Sequence, residues 1–151
     1  KARAYLSQHF AEPNLMLQDV ARAACMSNSR LSTVFAQETG YTFTEYLTAL
    51  RIGKAKELLR LGGMRSSQVA FAVGYNDPHY FSYLFKKTTG MNFIKYLTSY
   101  RVDMAKSLLR TTKLKVGSIC EMVGYSNVSY FCQIFKNHCG MTPAQFRGSK
   151  L

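Results

Sequence analysis

Apolar residues recur along this chain at the three- and four-residue spacing of helices buried on one face, and no stretch alternates with period two for long enough to make a sheet. Leu31, Val34 and Phe35 form one stripe, Phe81, Leu84 and Phe85 a second, and Phe131, Ile134 and Phe135 a third. A shorter helical stripe comes before the second, made of Val69, Ala70 and Val73, and Gly74 stops it. After the turn, Asp77 and Pro78 supply an N-cap acceptor and a proline at the first helical position. Ser27 and Asn127 suit the same capping role in the other two copies. The pattern therefore predicts three helix-turn-helix units.

Longer helices are predicted between the units. Thr42 and Glu45 make a capping box, and Leu47, Leu50, Ala55, Leu58 and Leu59 provide a buried side before Gly62-Gly63 ends the helix. A second connector runs from Asn92 to about Thr111. Thr142-Pro143 with Gln145 begins one last helix through Phe146. The fold class is all-α.

Internal repetition explains this regularity. Gly40, Gly90 and Gly140 are spaced by 50, and residues 40–89 overlay 90–139 without a gap. Tyr46-Leu47-Thr48 meets Tyr96-Leu97-Thr98, Arg51 meets Arg101, Val73-Gly74-Tyr75 meets Val123-Gly124-Tyr125, and Phe85-Lys86 meets Phe135-Lys136. An earlier copy lacks one residue around Met26-Ser27, where a turn absorbs the difference. The expected organisation is a first unit over 1–39, a connector and second unit over 40–89, a connector and third unit over 90–139, and a terminal helix over 140–151.

Charge narrows the chemistry. The 151 residues carry a net charge of +12. With 47% apolar residues the chain is too hydrophobic for a disordered basic tail, so the charge points to a polyanion partner, above all nucleic acid. It rises along the copies, at +1 over residues 1–40, +4 over 41–90 and +7 over 91–151, which favours the later units as phosphate binders. No apolar run reaches the ~20 residues of a membrane span and no leader opens the chain, so a soluble cytoplasmic protein without a membrane partner is expected. Lys1 rather than Met stands first in what reads as a helix, so a piece of something longer is the expectation. Cys25, Cys120, Cys132 and Cys139 are too few and too irregular for a disulfide scaffold. No CxxC pair joins His138 and Cys139 in a zinc site, so no metal or cofactor is expected. Cys120 takes the small-residue place held by Ala70 and is expected to be buried filler. No cysteine has an evident His and acidic partner, so an enzyme, such as one for alkyl repair of DNA, is not expected.

The run Leu17-Gln-Asp-Val-Ala21, Met26-Ser27, Leu31, Phe35 and Glu38-Thr-Gly40 resembles the first helix-turn-helix of AraC/XylS-type transcription regulators. Arg51-Ile-Gly-Lys-Ala-Lys-Glu-Leu-Leu59 resembles that family's linker helix, and Val73-Gly-Tyr75, Asp77-Pro-His-Tyr-Phe81 and Phe85-Lys-Lys87 its second helix-turn-helix. The DNA-binding ends of response regulators in the family are the nearest in character. The resemblance implies homeodomain-like helix-turn-helix units and sequence-specific binding of double-stranded DNA in transcription regulation. RNA polymerase becomes a candidate partner, and homodimerisation would reside in parts outside this chain. The family's DNA-binding domain has two such units; here a further connector and unit precede the family-like ending Gly140-Met-Thr-Pro143.

A recognition helix buries one face and offers the other to the major groove, N-terminal turns foremost. That places Asn28, Ser29, Ser32 and Thr33 of the first unit, His79, Ser82 and Tyr83 of the second, and Ser129, Cys132 and Gln133 of the third as candidates for base contact. Gln133 stands out because its amide can pair bidentately with adenine. Lys86, Lys87 and Lys136, one turn later, suit phosphate contact. The family commonly has Arg where Thr33, Tyr83 and Gln133 stand here. Tyr80 and Tyr130 are expected to pack rather than to read bases, and Lys54, Lys56, Lys106 and Arg110 to solvate their helices. A connector of about 19 residues is roughly 28 Å long, against ~34 Å between successive major-groove faces, so engagement of every unit requires bent DNA. The alternative is a helical scaffold in which one or more units bind protein instead.

Overall fold

The computed structural model describes residues 1–149, and among these the regular structure is all helix. Two compact units divide the chain, Lys1–Phe93 and Ile94–Leu151.

The first unit contains α1 (Ala2–His9), α2 (Leu17–Ala23), α3 (Asn28–Thr39), α4 (Phe43–Leu61), α5 (Ser66–Ala72) and α6 (Pro78–Thr89). Helix α1 packs on α2, α2 on α3, and α4 meets α3 at one end and α5 and α6 at the other. Leu6, Leu15, Val20, Ala21, Leu31, Phe35 and Leu47 form the core under α3. Val69, Ala70, Val73, Phe81 and Phe85 are inaccessible to solvent under α6, with Phe93 closing on Phe81 and Phe85 at ring-centroid distances of 5.0 and 4.4 Å.

The second unit takes nearly all of α7 (Phe93–Thr111), then α8 (Val116–Met122), α9 (Val128–Cys139) and α10 (Pro143–Gly148). Val102, Ala105, Leu109, Ile119, Cys120, Val123, Phe131, Phe135 and Phe146 form its core. Cys120 is filler with its Sγ–H donated to the Tyr125 carbonyl, as the repeat predicts, and burial raises its thiol pKa.

The helix boundaries follow from local chemistry. Ser27, Asp77 and Asn127 each accept a backbone N–H of the first turn of α3, α6 and α9. Thr42 and Glu45 cap α4 reciprocally; the Thr42 N–H and hydroxyl donate to the Glu45 carboxylate and hold its pKa below the ordinary range. All three turns are Schellman closures. Met26, Tyr75 and Tyr125 donate their N–H to the carbonyls of Ala21, Ala70 and Cys120 at 2.9, 3.0 and 2.9 Å. The left-handed residue this closure needs is Gly74 (φ 93°) and Gly124 (φ 92°) in two turns, but Cys25 (φ 56°) in the shortened first copy.

Candidate nucleic-acid interface

Helices α3, α6 and α9 are built alike. Each has 12 residues, a side-chain N-cap, and a left-handed glycine at its end, with φ of 75°, 78° and 76° at Gly40, Gly90 and Gly140. Each buries one stripe, Leu31 and Phe35, Phe81 and Phe85, or Phe131 and Phe135, with Val34, Leu84 and Ile134 half-buried beside it.

Asn28, Ser29, Ser32 and Thr33 are exposed on α3, and His79, Ser82 and Tyr83 on α6. The first unit thus joins these two polar faces to one linker helix. On α9, Ser129 and Gln133 are exposed. Cys132 differs from the other candidates: it is half-buried and packs against the third core. The Thr33 and Ser82 hydroxyls donate within their helices, to the carbonyls of Ser29 at 3.1 Å and Pro78 at 2.8 Å, leaving oxygen lone pairs outward as acceptors.

Lys86, Lys87 and Lys136 are exposed in the later turns, with the Lys87 Nζ 5.9 Å from the Tyr83 ring centroid. Among the described residues no ion pair neutralises these three lysines, so their charge is available to an anion. Lys54 and Lys106, by contrast, pair with Glu57 at 3.0 Å and Asp103 at 3.5 Å. Arg110 lies over the Phe146 ring, 4.7 Å from its centroid.

Arg30 and Arg51 escaped the spacing argument, and Tyr80 and Tyr130 meet it only in part. Arg30 is exposed near the start of α3, in the register of Tyr80 and Tyr130; the 50-residue offset was the signal that could have found it. Tyr80 and Tyr130 touch Tyr75 and Tyr125 edge-on as packing residues would, yet remain 53% and 55% exposed. Arg51 is the one buried charged residue among those described, and its position within the apolar stripe of α4 marks it. Its Nε donates to the Phe10 carbonyl at 2.7 Å and its Nη2 to the Glu12 carbonyl at 2.8 Å, tying the turn after α1 to the linker helix.

No cluster of three or more His, Cys, Asp or Glu side chains that could hold a metal occurs among the described residues. His138 bonds Ser99 at 3.1 Å. Burial raises the Cys139 thiol pKa, with Lys106 opposing, so this thiol is protonated at neutral pH and poorly nucleophilic. No helix among the described residues is long and apolar enough to cross a membrane.

A family model for the helix-turn-helix domain matches residues 20–92 and again 78–149, the two matches sharing α6. The chain is similar to the arabinose operon regulatory protein of Escherichia coli (strain K12), 40% identical over 78 residues that make up 52% of this chain and 27% of that protein. The chain thus spans about a quarter of that relative's length. It is also similar to the C-terminal domain of AraT, a response regulator from Geobacillus stearothermophilus, at 39% identity and a TM-score of 0.61, covering 63% of this chain and 78% of that one. The DNA-binding domain of AdpA, solved with a target DNA, shares the fold at a TM-score of 0.64 and 24% identity, over 68% of this chain and 91% of that one.

Proposed function

This chain belongs to the AraC/XylS-type helix-turn-helix family, and on that premise we propose that it binds double-stranded DNA sequence-specifically in the regulation of transcription. The family is regulatory rather than enzymatic. The observation that carries the reading is the threefold recurrence of one capped helix whose apolar stripe is buried and whose opposite face is polar, joined in α6 and α9 by unneutralised lysines one turn beyond. Such a helix lies in a major groove, its N-terminal residues at the base edges and its later cations at phosphates.

In this reading α3 and α6 enter successive major grooves and α9 adds a third contact. Asn28, Ser29, Ser32, Thr33, His79, Ser82, Tyr83, Ser129 and Gln133 face bases, with Cys132 at the margin. Lys86, Lys87 and Lys136 neutralise phosphates, and Arg30 joins the set on α3. The working boundaries are 1–39, 40–89, 90–139 and 140–151 for the three units and the terminal helix. Contact with RNA polymerase, dimerisation through other parts of the protein, action within a response-regulator pathway and a cytoplasmic location complete the proposal.

The test is DNA affinity measured against salt, on a site selected from random sequence. The logarithm of affinity falls steeply with the logarithm of salt, and Lys86→Ala and Lys136→Ala each make the slope shallower by about one. Gln133→Ala relaxes preference at one base position instead of weakening binding uniformly. A flat salt response supports the second reading, a protein scaffold, which the exposure of Phe71, Tyr80 and Tyr83 favours, each more than half accessible around the middle unit.

A further inference from the structure

Helix α6 carries two exposed aromatic rings where α3 and α9 carry other chemistry. In the register of the repeat, α3 holds Arg30 and Thr33 and α9 holds Tyr130 and Gln133. Only α6 has a ring at both places, Tyr80 and Tyr83. These rings are 53% and 58% exposed, although Phe81 and Phe85 beside them in sequence are inaccessible to solvent.

Their arrangement is held on several sides within the first unit. Tyr80 lies in the first turn of α6, with its N–H donated to the Asp77 carboxylate. Its ring meets the buried Tyr75 ring edge-on, centroids 6.2 Å apart. Tyr83, three residues on, stacks on Tyr80 at a centroid distance of 6.4 Å and an interplanar angle of 24°. The Lys87 Nζ stands 5.9 Å from the Tyr83 centroid, in a cation–π contact. At helical spacing Tyr83 is on the side of α6 opposite Phe81 and Phe85, and Tyr80 flanks that side. Rings with few torsions, already packed together, lose little conformational freedom on meeting a ligand.

We propose that Tyr80 and Tyr83 make α6 a reader of the 5-methyl group of thymine, an inference that rests on α6 entering a major groove. The thymine methyl is the apolar feature that base edges present there. An arginine or an amide at these positions would pair with guanine or adenine; two rings instead gain by covering methyl surface. Their 6.4 Å separation is close to two base-pair rises of ~3.4 Å, so the pair covers thymines within about two base pairs of each other. Tyr80, which touches Tyr75, therefore both packs and reads.

The test uses the full chain and a duplex selected from random sequence. Each thymine of the selected site is replaced in turn by deoxyuridine, which deletes the methyl and keeps every hydrogen-bonding group. Affinity is expected to fall about fourfold at each of two thymines within about two base pairs, the effect of uncovering one methyl-sized group. Tyr80→Ala and Tyr83→Ala should each abolish the loss at one of these thymines. Tyr80→Phe and Tyr83→Phe keep the rings and should retain it. Three results overturn the proposal while DNA binding stands. One is deoxyuridine tolerated at every thymine, as expected of an aromatic patch that serves a protein partner. Another is a methyl effect that survives both alanine variants. The third is a methyl effect lost in the phenylalanine variants, which assigns the readout to the hydroxyls. A chain that binds no selected duplex fails the DNA-binding reading itself, and the inference falls with it.

Discussion

The two compact units place the same three residues, fifty positions apart, in different surroundings. Arg51, Gly74 and Tyr75 are buried, with the turn after α1 hydrogen-bonded to Arg51 and packed on Gly74, whereas Arg101 and Tyr125 are half-buried and Gly124 is exposed. The local structures match: both glycines sit in Schellman turns with φ near 92°, and both arginines stack on the tyrosine that follows the glycine. Identical local chemistry therefore does different work. In the first unit the triplet holds two segments together, and in the second it is a surface.

Substituting the glycines tests this contrast hardest. Gly74→Ala places a methyl in the left-handed region and against rigid backbone, and is expected to cost about 3 kcal/mol or more. Gly124→Ala meets only the movable end of Arg101 and is expected to cost about 1–2 kcal/mol. Chemical denaturation followed by NMR signals from each unit measures both; equal costs would refute the difference in surroundings.

Arginine substitutions should show the next largest gap. Arg51→Ala orphans the Phe10 carbonyl, leaves the Glu12 carbonyl with the Leu15 N–H alone and loosens α1, an expected loss of about 3 kcal/mol. Arg101→Ala removes a partly solvated side chain with no hydrogen bond to lose, for about 0.5 kcal/mol. Amide exchange of Leu6 and Ser7 in α1 reports the first effect directly.

A smaller change concerns the first turn, where Cys25 occupies the left-handed position that glycine holds in the others. Cys25 is exposed, so Cys25→Gly removes strain without opening a cavity and is expected to add up to about 1 kcal/mol of stability, read as a higher denaturation midpoint. Acid should separate the helix caps. Glu45 in the folded protein titrates below its unfolded value, so its contribution is present above the unfolded pKa and is lost as pH falls through the folded one. Gln145, which caps α10 in the second unit, has no proton to gain and its box should persist. A carboxyl-carbon NMR titration of Glu45, alongside amide shifts at Thr42 and Thr142, checks this.

Much of the fold was legible because its determinants are local. A cap reaches three residues along the chain, an apolar stripe repeats every three or four, and a Schellman turn closes within six. Ser27, Asp77, Asn127, the Thr42–Glu45 box and the two long connectors could accordingly be placed from spacing alone. The outward faces of α3 and α6 followed from the same stripes. Cys132 did not follow, since how deeply a helix flank sinks depends on the volume of what it meets, here the core containing Cys120 and Ile119. Arg51 could be suspected from its place on an apolar stripe, but its partners lie about forty residues earlier, in the turn after α1.

The sequence by itself determined that this protein is a run of similar helix-turn-helix units with polar, basic outer faces, because periodicity and capping are written in neighbouring residues. Only the tertiary structure decided which copies of a repeated residue are covered. Burial is a property of whatever segment folds across a site: the turn after α1 lies against Arg51 and Gly74 and that triplet is buried, while its repeat at Arg101, Gly124 and Tyr125 is half-buried to exposed.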